Sequence, residues 1–158
     1  MIPKFIVDNN VGKLAVWLRA LGYDTLFINP IDDSDLVKIA EEENRIILTK
    51  DTGVVKRRPV AMRQVQALFV RGQDWRQQLA QVMKDLRLKT DRCFTRCLAC
   101  NSLLVACDKE EARGHVPDKI FRLYPTFVKC ASCARYFWEG SHWERMRGVL
   151  AAIKEQGS

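Results

Sequence analysis

Two sets of side chains in this sequence have the types and spacing that chemistry requires. The first is a doubled Cys-x-x-Cys pattern, Cys97-Leu-Ala-Cys100 and Cys130-Ala-Ser-Cys133. Each pair can turn two thiolates toward one point, and two such turns close a tetrahedral S₄ site that suits Zn²⁺. A pair of disulfides is the alternative use of these residues, but the doubled spacing favours metal. Cys93 and Cys107 are left over and read as plain thiols. The gap between the two knuckles is long, so a hairpin or an irregular insertion has to lie within it.

The second set is acidic. Asp8 ends the apolar run Lys4-Phe5-Ile6-Val7, Asp51 follows the run Arg45-Ile46-Ile47-Leu48-Thr49, and Asp33 stands at the start of a helical pattern. Converging carboxylates repel one another unless a cation sits among them, and Mg²⁺ or Mn²⁺ takes such oxygen ligands. An ion of that kind activates water for in-line attack on a phosphodiester. Taken singly, each of these aspartates is an ordinary turn or cap residue. Asp32 and Asp35 compete with Asp33 for the second position, and Asp74 reads better as a helix cap than as a fourth acid. Lys13 and Lys50 are candidates for phosphate contact, as is the run Lys56-Arg57-Arg58 followed by Arg63. There are only two histidines, and neither a Gly-x-Ser-x-Gly nor a Gly-rich phosphate loop offers a competing chemistry.

The elements that must position these groups follow from periodicity. Lys4-Phe5-Ile6-Val7 is a short apolar strand ending at Asp8, and Val11, Leu14, Ala15, Leu18 and Leu21 recur at helical steps up to a stop at Gly22. Thr25 to Ile28 reads as a second strand. Asn29-Pro30 breaks the chain, and Asp32 or Asp33 caps a helix burying Leu36, Val37 and Ala40. A third strand ends before Asp51, a fourth spans Val65 to Val70, and a helix runs from Gln73 to Leu88. Apolar strands without alternation, separated by helices, predict an α/β domain with a mainly parallel sheet covered on both faces. In such sheets the working crevice lies beyond the carboxyl ends of the strands, where Asp8 and Asp51 fall. After about residue 90 the pattern changes to short apolar stretches around the knuckles, as a small β-rich zinc ribbon requires. Ser141 and Glu144 then suggest a capping box opening a C-terminal helix that buries Trp143, Met146, Val149 and Leu150.

The bulk numbers set limits. The 158 residues are 47% apolar, enough for one domain or two small ones. Their division is expected at residues 1–90 and 91–158. No apolar run approaches a membrane span, and Met1-Ile2-Pro3-Lys4 does not begin a signal peptide, so a cytoplasmic location, where cysteines bind metal, is expected. Lys and Arg outnumber Asp and Glu by 26 to 19, a net charge of +7 that favours a polyanionic partner.

Several of these segments occur together in a known family. Lys4-Phe5-Ile6-Val7-Asp8, Gly12-Lys13-Leu14-Ala15, Trp17-Leu18-Arg19, Leu21-Gly22-Tyr23-Asp24, Asp32-Asp33, Ile46 to Asp51, the two knuckles, and Tyr136 to Met146 resemble the Mut7-C family. That family is regarded as a PIN-like ribonuclease domain joined to a C-terminal zinc ribbon, and the resemblance covers nearly the whole chain. It implies a PIN-like domain with helices flanking the sheet, followed by the ribbon and a C-terminal helix. It implies a metal-dependent ribonuclease with Asp8, Asp33 and Asp51 as catalytic residues holding Mg²⁺ or Mn²⁺. Cys97, Cys100, Cys130 and Cys133 would hold a structural Zn²⁺. RNA is then the partner, contacted by Lys13, Lys50, Lys56, Arg57 and Arg58 with Arg92 and Arg96. PIN nucleases usually carry a fourth acid, for which only Asp74 is available here. They also often pair, and Trp17 and Trp75 suit either a homodimer contact or the core. A non-catalytic RNA-binding or ribosome-associated protein on the same scaffold is the rival reading. A phosphatase or phosphoacceptor fits worse, because Asn9 and Asn10 follow Asp8 where such folds want a second acid.

Overall fold

A computed structural model describes residues 2–156. Its first half alternates strand and helix: β1 (Phe5–Val7), a 3-10 turn at Asn9–Val11, α1 (Lys13–Ala20), β2 (Thr25–Leu26) and α2 (Asp33–Glu43). β3 (Ile46–Thr49), α3 (Thr52–Val55), α4 (Arg58–Ala61), β4 (Ala67–Phe69) and α5 (Trp75–Asp85) follow. The four strands form one parallel sheet in the order β2-β1-β3-β4. The first and third strands are neighbours, with Val7 level with Leu48, so the residues after them emerge side by side.

The alternation of side chains along a strand explains why both faces are apolar. Phe5, Val7 and Leu48 enter a core shared with α1 and α5. Ile6 and Ile47 point the other way, into a second core with Leu36, Val37 and Ala40 of α2 and Val54 of α3. The strands are shorter than their apolar runs. β2 stops at Leu26 and β4 covers only Ala67–Phe69, because the flanking residues lie at the sheet margin or in loops. The first helix begins at Lys13 rather than Val11, since Asp8 caps a 3-10 turn ahead of it.

The second half contains β5 (Leu104–Cys107), α6 (Lys109–Ala112), α7 (Asp118–Leu123), β6 (Phe127–Cys130), β7 (Tyr136–Phe137) and α8 (Ser141–Gln156). Its strands form an antiparallel sheet in the order β5-β6-β7. Two short helices, α6 and α7, fill the long gap between the knuckles. Ser141 is the first residue of α8 and not its cap: the Gly140 carbonyl accepts the Glu144 N–H at 3.1 Å, which places Gly140 at the helix entrance. Trp143, Met146, Leu150 and Ile153 line one stripe of α8 and bury it in the same core as α1 and α5. Among the described residues no helix is long and apolar enough to cross a membrane.

Polar contacts join the cysteine-rich part to the parallel sheet. Buried Arg19 donates from Nε to the Thr25 carbonyl at 3.0 Å and from Nη1 to the Leu98 and Ala99 carbonyls inside the first knuckle. Asn101, just after that knuckle, accepts the Thr25 N–H at 2.8 Å and donates to Asp24 at 2.7 Å. Asp24 also accepts from Arg45 at 2.8 Å. Burial works to raise the Asp24 carboxyl, but hydrogen bonds from Arg45 and Asn101 outweigh it and hold the group below its ordinary value.

Gly22 makes the same junction possible. Its φ is +95°, and a Cβ there would collide with the Arg92 carbonyl oxygen. Gly22→Ala is therefore expected to lower stability by on the order of 3 kcal/mol, through backbone strain and a contact that no rotamer can relieve. Urea unfolding of the variant beside wild type measures the loss. A change under about 0.5 kcal/mol would mean the junction yields freely.

Candidate active site and metal centres

The acidic site is built at the carboxyl ends of β1 and β3. Asp8 follows β1 and is only 7% exposed. Its Oδ1 accepts the Asn9 N–H at 2.8 Å, and its Oδ2 accepts the Thr49 hydroxyl at 2.7 Å. Thr49, the last residue of β3 and fully buried, also accepts the Asp51 N–H at 2.9 Å. One hydroxyl thus fixes the first acid and the backbone of the third. Asp51 caps α3 by accepting the Gly53 N–H at 2.7 Å through Oδ1. The Asn10 side chain accepts the Lys50 N–H at 3.3 Å, tying the loops after β1 and β3 together.

The second acid comes from α2. Asp32 is the cap of that helix, its carboxylate accepting the Asp35 N–H at 2.8 Å. That leaves Asp33 as the first helical residue, half-buried, with a carboxylate bound to neither helix end. Carboxylate oxygens of Asp8, Asp33 and Asp51 lie within 4.8 Å of one another. Asp32 and Asp35 are exposed and outside this group. Asp74 caps α5, accepting the Gln77 N–H at 3.0 Å, and is likewise outside it.

Among the described residues, no Lys or Arg forms an ion pair with any of the three clustered acids. Three carboxylates this close, with no basic partner, constitute a donor set of hard oxygens that fits a divalent cation. The site can bind such an ion.

The basic residues are placed differently. Lys56 and Arg57 between α3 and α4, and Arg58 at the start of α4, are exposed one short helix beyond Asp51. Lys13 is exposed at the start of α1, its ammonium 5.0 Å from the centre of the Trp75 ring. Trp75 stacks on Trp17 at 4.6 Å within the chain. Lys50 is engaged internally, donating to the Gly72 carbonyl at 2.7 Å and so holding the loop between β4 and α5. Arg96 donates to the carbonyls of Gly22 and Asn101. Arg92 is exposed beside Gly22.

The second centre is the sulfur cluster. Sγ atoms of Cys97, Cys100, Cys130 and Cys133 all lie within 4.8 Å of one another. Cys97 and Cys133 are 3.6 Å apart, Cys100 and Cys130 3.2 Å. Tetrahedral zinc with bonds of about 2.3 Å sets its sulfurs about 3.8 Å apart, so the cage needs little adjustment. Burial pushes the Cys97 thiol up to about 12, while the Ser102 N–H pulls Cys100 down to about 6. The cluster can bind zinc, whose charge would offset the cost of the buried thiolates. Cys93 and Cys107 lie outside it, each bonded through its thiol to a backbone carbonyl.

Thr49 is the site residue that reading the sequence for acids passes over. Its only signal was a hydroxyl at the last position of a buried strand, two residues before an aspartate. Thr49→Val keeps the shape but removes both hydrogen bonds, so Asp8 and Asp51 lose their common tether. Metal affinity or activity is expected to fall roughly 10- to 100-fold. A Mn²⁺ titration of wild type and Thr49→Val checks this, and equal affinities would assign Thr49 to packing alone.

Comparison with known families gives a match over most of the chain: the family model described as the Mut7-C RNAse domain aligns with residues 3–150. Neither the curated proteins nor the solved structures contain a significant match.

Proposed function

The chain belongs to the Mut7-C RNAse domain family, and from that membership and its carboxylate cluster we propose that it is a metal-dependent ribonuclease. The observation that carries this reading is the convergence of Asp8, Asp33 and Asp51, with no basic ion-pair partner among the described residues, at the carboxyl edge of a parallel sheet. A Mg²⁺ or Mn²⁺ ion at these carboxylates supplies the Lewis acidity that phosphodiester hydrolysis needs.

The chain's own residues do the positioning. Thr49 and the Asn9 N–H orient the Asp8 carboxylate, and the Gly53 N–H orients that of Asp51. Asp33, free of capping duty because Asp32 performs it, closes the third side. Lys56, Arg57 and Arg58 bind the RNA backbone near the site, with Lys13 extending the basic surface, while Arg92 lies with Ile2 and Pro3 at the other end of β1. Lys50 keeps two of its three N–H donors for a phosphate while the third holds Gly72. Single-stranded or looped RNA is the natural substrate, because splayed bases can stack on exposed aromatic and arginine side chains. Cys97, Cys100, Cys130 and Cys133 would hold a Zn²⁺ that serves structure, with the ribbon tied to the sheet through Arg19 and Asn101. The protein acts in the cytoplasm.

A second reading rests on Asp74. Its side chain is occupied as the α5 cap, which leaves three acids rather than four in the site. A scaffold retained for RNA binding alone would look the same there. The two readings separate when structured and single-stranded RNAs are incubated with protein, with Mg²⁺, with Mn²⁺ and with neither. Cleavage only with the divalent ion supports the ribonuclease. RNA bound equally well by wild type and Asp8→Asn/Asp51→Asn, with no cleavage under either ion, supports the binding protein.

A further inference from the structure

A cavity of about 360 Å³ opens between α7, β7 and the start of α8, far along the chain from the acids. Its walls include Tyr124, Tyr136, Phe137, Trp138, Ser141 and His142. The four rings are neither fully buried nor free; each is half-buried and shows one part to the cavity. Trp138 rests edge-on against buried Phe127 at 6.1 Å and is tilted against Tyr124 at 6.5 Å. Tyr136 is backed by His115 at 5.1 Å.

The backbone is adapted to this arrangement. A Cβ at buried Gly140 would lie 2.6 Å from the Trp138 indole nitrogen. Only glycine lets the indole fold back over the entrance of α8. Polar groups are set around the rings: the Tyr124 hydroxyl, the indole N–H, and the exposed Ser141 and His142 side chains. The Gly140-Ser141-His142-Trp143 segment therefore shapes a cavity as well as starting a helix.

Resting on the ribonuclease reading, we infer that this cavity is a second RNA subsite, which takes a single unpaired nucleobase and holds the strand away from the acidic centre. Its size suits one base, and stacking planes with hydrogen-bonding groups at the rim suit a base face and a base edge. Charge agrees with a polyanion. Lys119, Arg122 and Arg145 are exposed on the elements that form the walls, and Arg135 immediately before β7. Asp118 and Glu144 oppose them, while Glu139 is already paired with Arg147. The stacking rings supply most of the affinity, because Glu144 in the first turn of α8 offsets the attraction of that helix end for phosphate.

The test uses the full, zinc-loaded chain without Mg²⁺ or Mn²⁺, and a fluorescent single-stranded RNA beside a blunt duplex of the same length. Trp138→Ala is expected to weaken the single strand roughly 5- to 100-fold and to leave the duplex unchanged. His142→Ala, at an exposed position, should weaken it less and in the same direction. Crosslinking of wild type with RNA carrying 4-thiouridine, mapped by mass spectrometry, avoids any question of variant folding. Crosslinks at Tyr124, Trp138 or His142 support the subsite. Cleavage by wild type with crosslinks confined to other surfaces, or equal affinity in folded Trp138→Ala, overturns the subsite and leaves the ribonuclease reading standing. A wild type that neither binds nor cuts RNA overturns both.

Discussion

Cys97, Cys100, Cys130 and Cys133 can hold zinc, and stripping metal from the purified protein is expected to destabilise the parallel sheet along with the ribbon. The knuckle carbonyls of Leu98 and Ala99 accept from Arg19 of α1, and Asn101 bonds to both Thr25 and Asp24 at the edge of the sheet. Loss of the knuckle fold would leave the Thr25 N–H and the Arg19 guanidinium buried without these partners, a penalty of about 1–3 kcal/mol for each group. Trp143, Met146, Leu150 and Ile153 of α8 share one apolar core with Leu14, Leu18 and Leu79, so their displacement would expose that core. Structural zinc itself contributes about 10–16 kcal/mol of binding free energy in small zinc domains. Even if the sheet retains most of its own stability, a loss of about 5 kcal/mol corresponds to a fall of about 10–20 °C in Tm. Thermal unfolding followed by near-UV circular dichroism, before and after chelation, measures it. Cys130→Ser should reproduce the effect without a chelator. An unchanged melting transition in both would separate the ribbon energetically from the sheet.

The second large effect is at Asp8. Asp8→Asn keeps the size of the side chain and one acceptor oxygen, which can still take the Asn9 N–H while the amide turns its NH2 toward the Thr49 hydroxyl oxygen, and one charge of the cluster is lost. Cleavage of RNA is expected to fall by roughly a thousand-fold, because on the proposed reading Asp8 would be one of the three carboxylates holding the divalent ion that would supply Lewis acidity. Stability should stay the same or rise in the absence of Mg²⁺ and Mn²⁺, since three carboxylates within 4.8 Å repel one another until a cation is bound. RNA affinity should change little, because Lys56, Arg57 and Arg58 are untouched. Single-turnover kinetics, Tm and RNA affinity measured on one preparation test the three parts together. Loss of activity accompanied by a drop in Tm would mean that Asp8 serves the fold instead of the chemistry.

The features legible in the sequence were those encoded by short spacing or by strand-end position. The knuckles are local motifs, and two parallel neighbours ending in aspartate bring Asp8 and Asp51 together as soon as β1 and β3 pair. Asp33 was open against Asp32 and Asp35, because three acids in four positions suit a helix start equally well. The structure separates them by geometry: Asp32 turns back to cap α2, and Asp33 joins the cluster.

What could not be read depended on contacts across the chain. Arg19 lies on a helix where a basic residue ordinarily marks the solvated face, yet its partners are nearly eighty residues away in the first knuckle. Asn101 carries no motif of its own, yet it bridges a β2 N–H to Asp24. Thr49 is a common strand residue, so its role as tether between two acids carried no signal of its own. The cavity at Trp138 is equally hidden, since Gly140 shows its purpose only once the indole is seen folded over it.

The central claim is that the carboxylate cluster is the divalent-cation site at which RNA is cut. It is tested most directly by titrating Mn²⁺ into the zinc-loaded protein and recording ion occupancy and RNA cleavage on the same samples, with Asp8→Asn/Asp51→Asn beside wild type. Occupancy and cleavage rising together in wild type, and both absent from the double variant, is the predicted result. Cleavage that ignores Mn²⁺ and Mg²⁺, or that survives in the double variant, would contradict it.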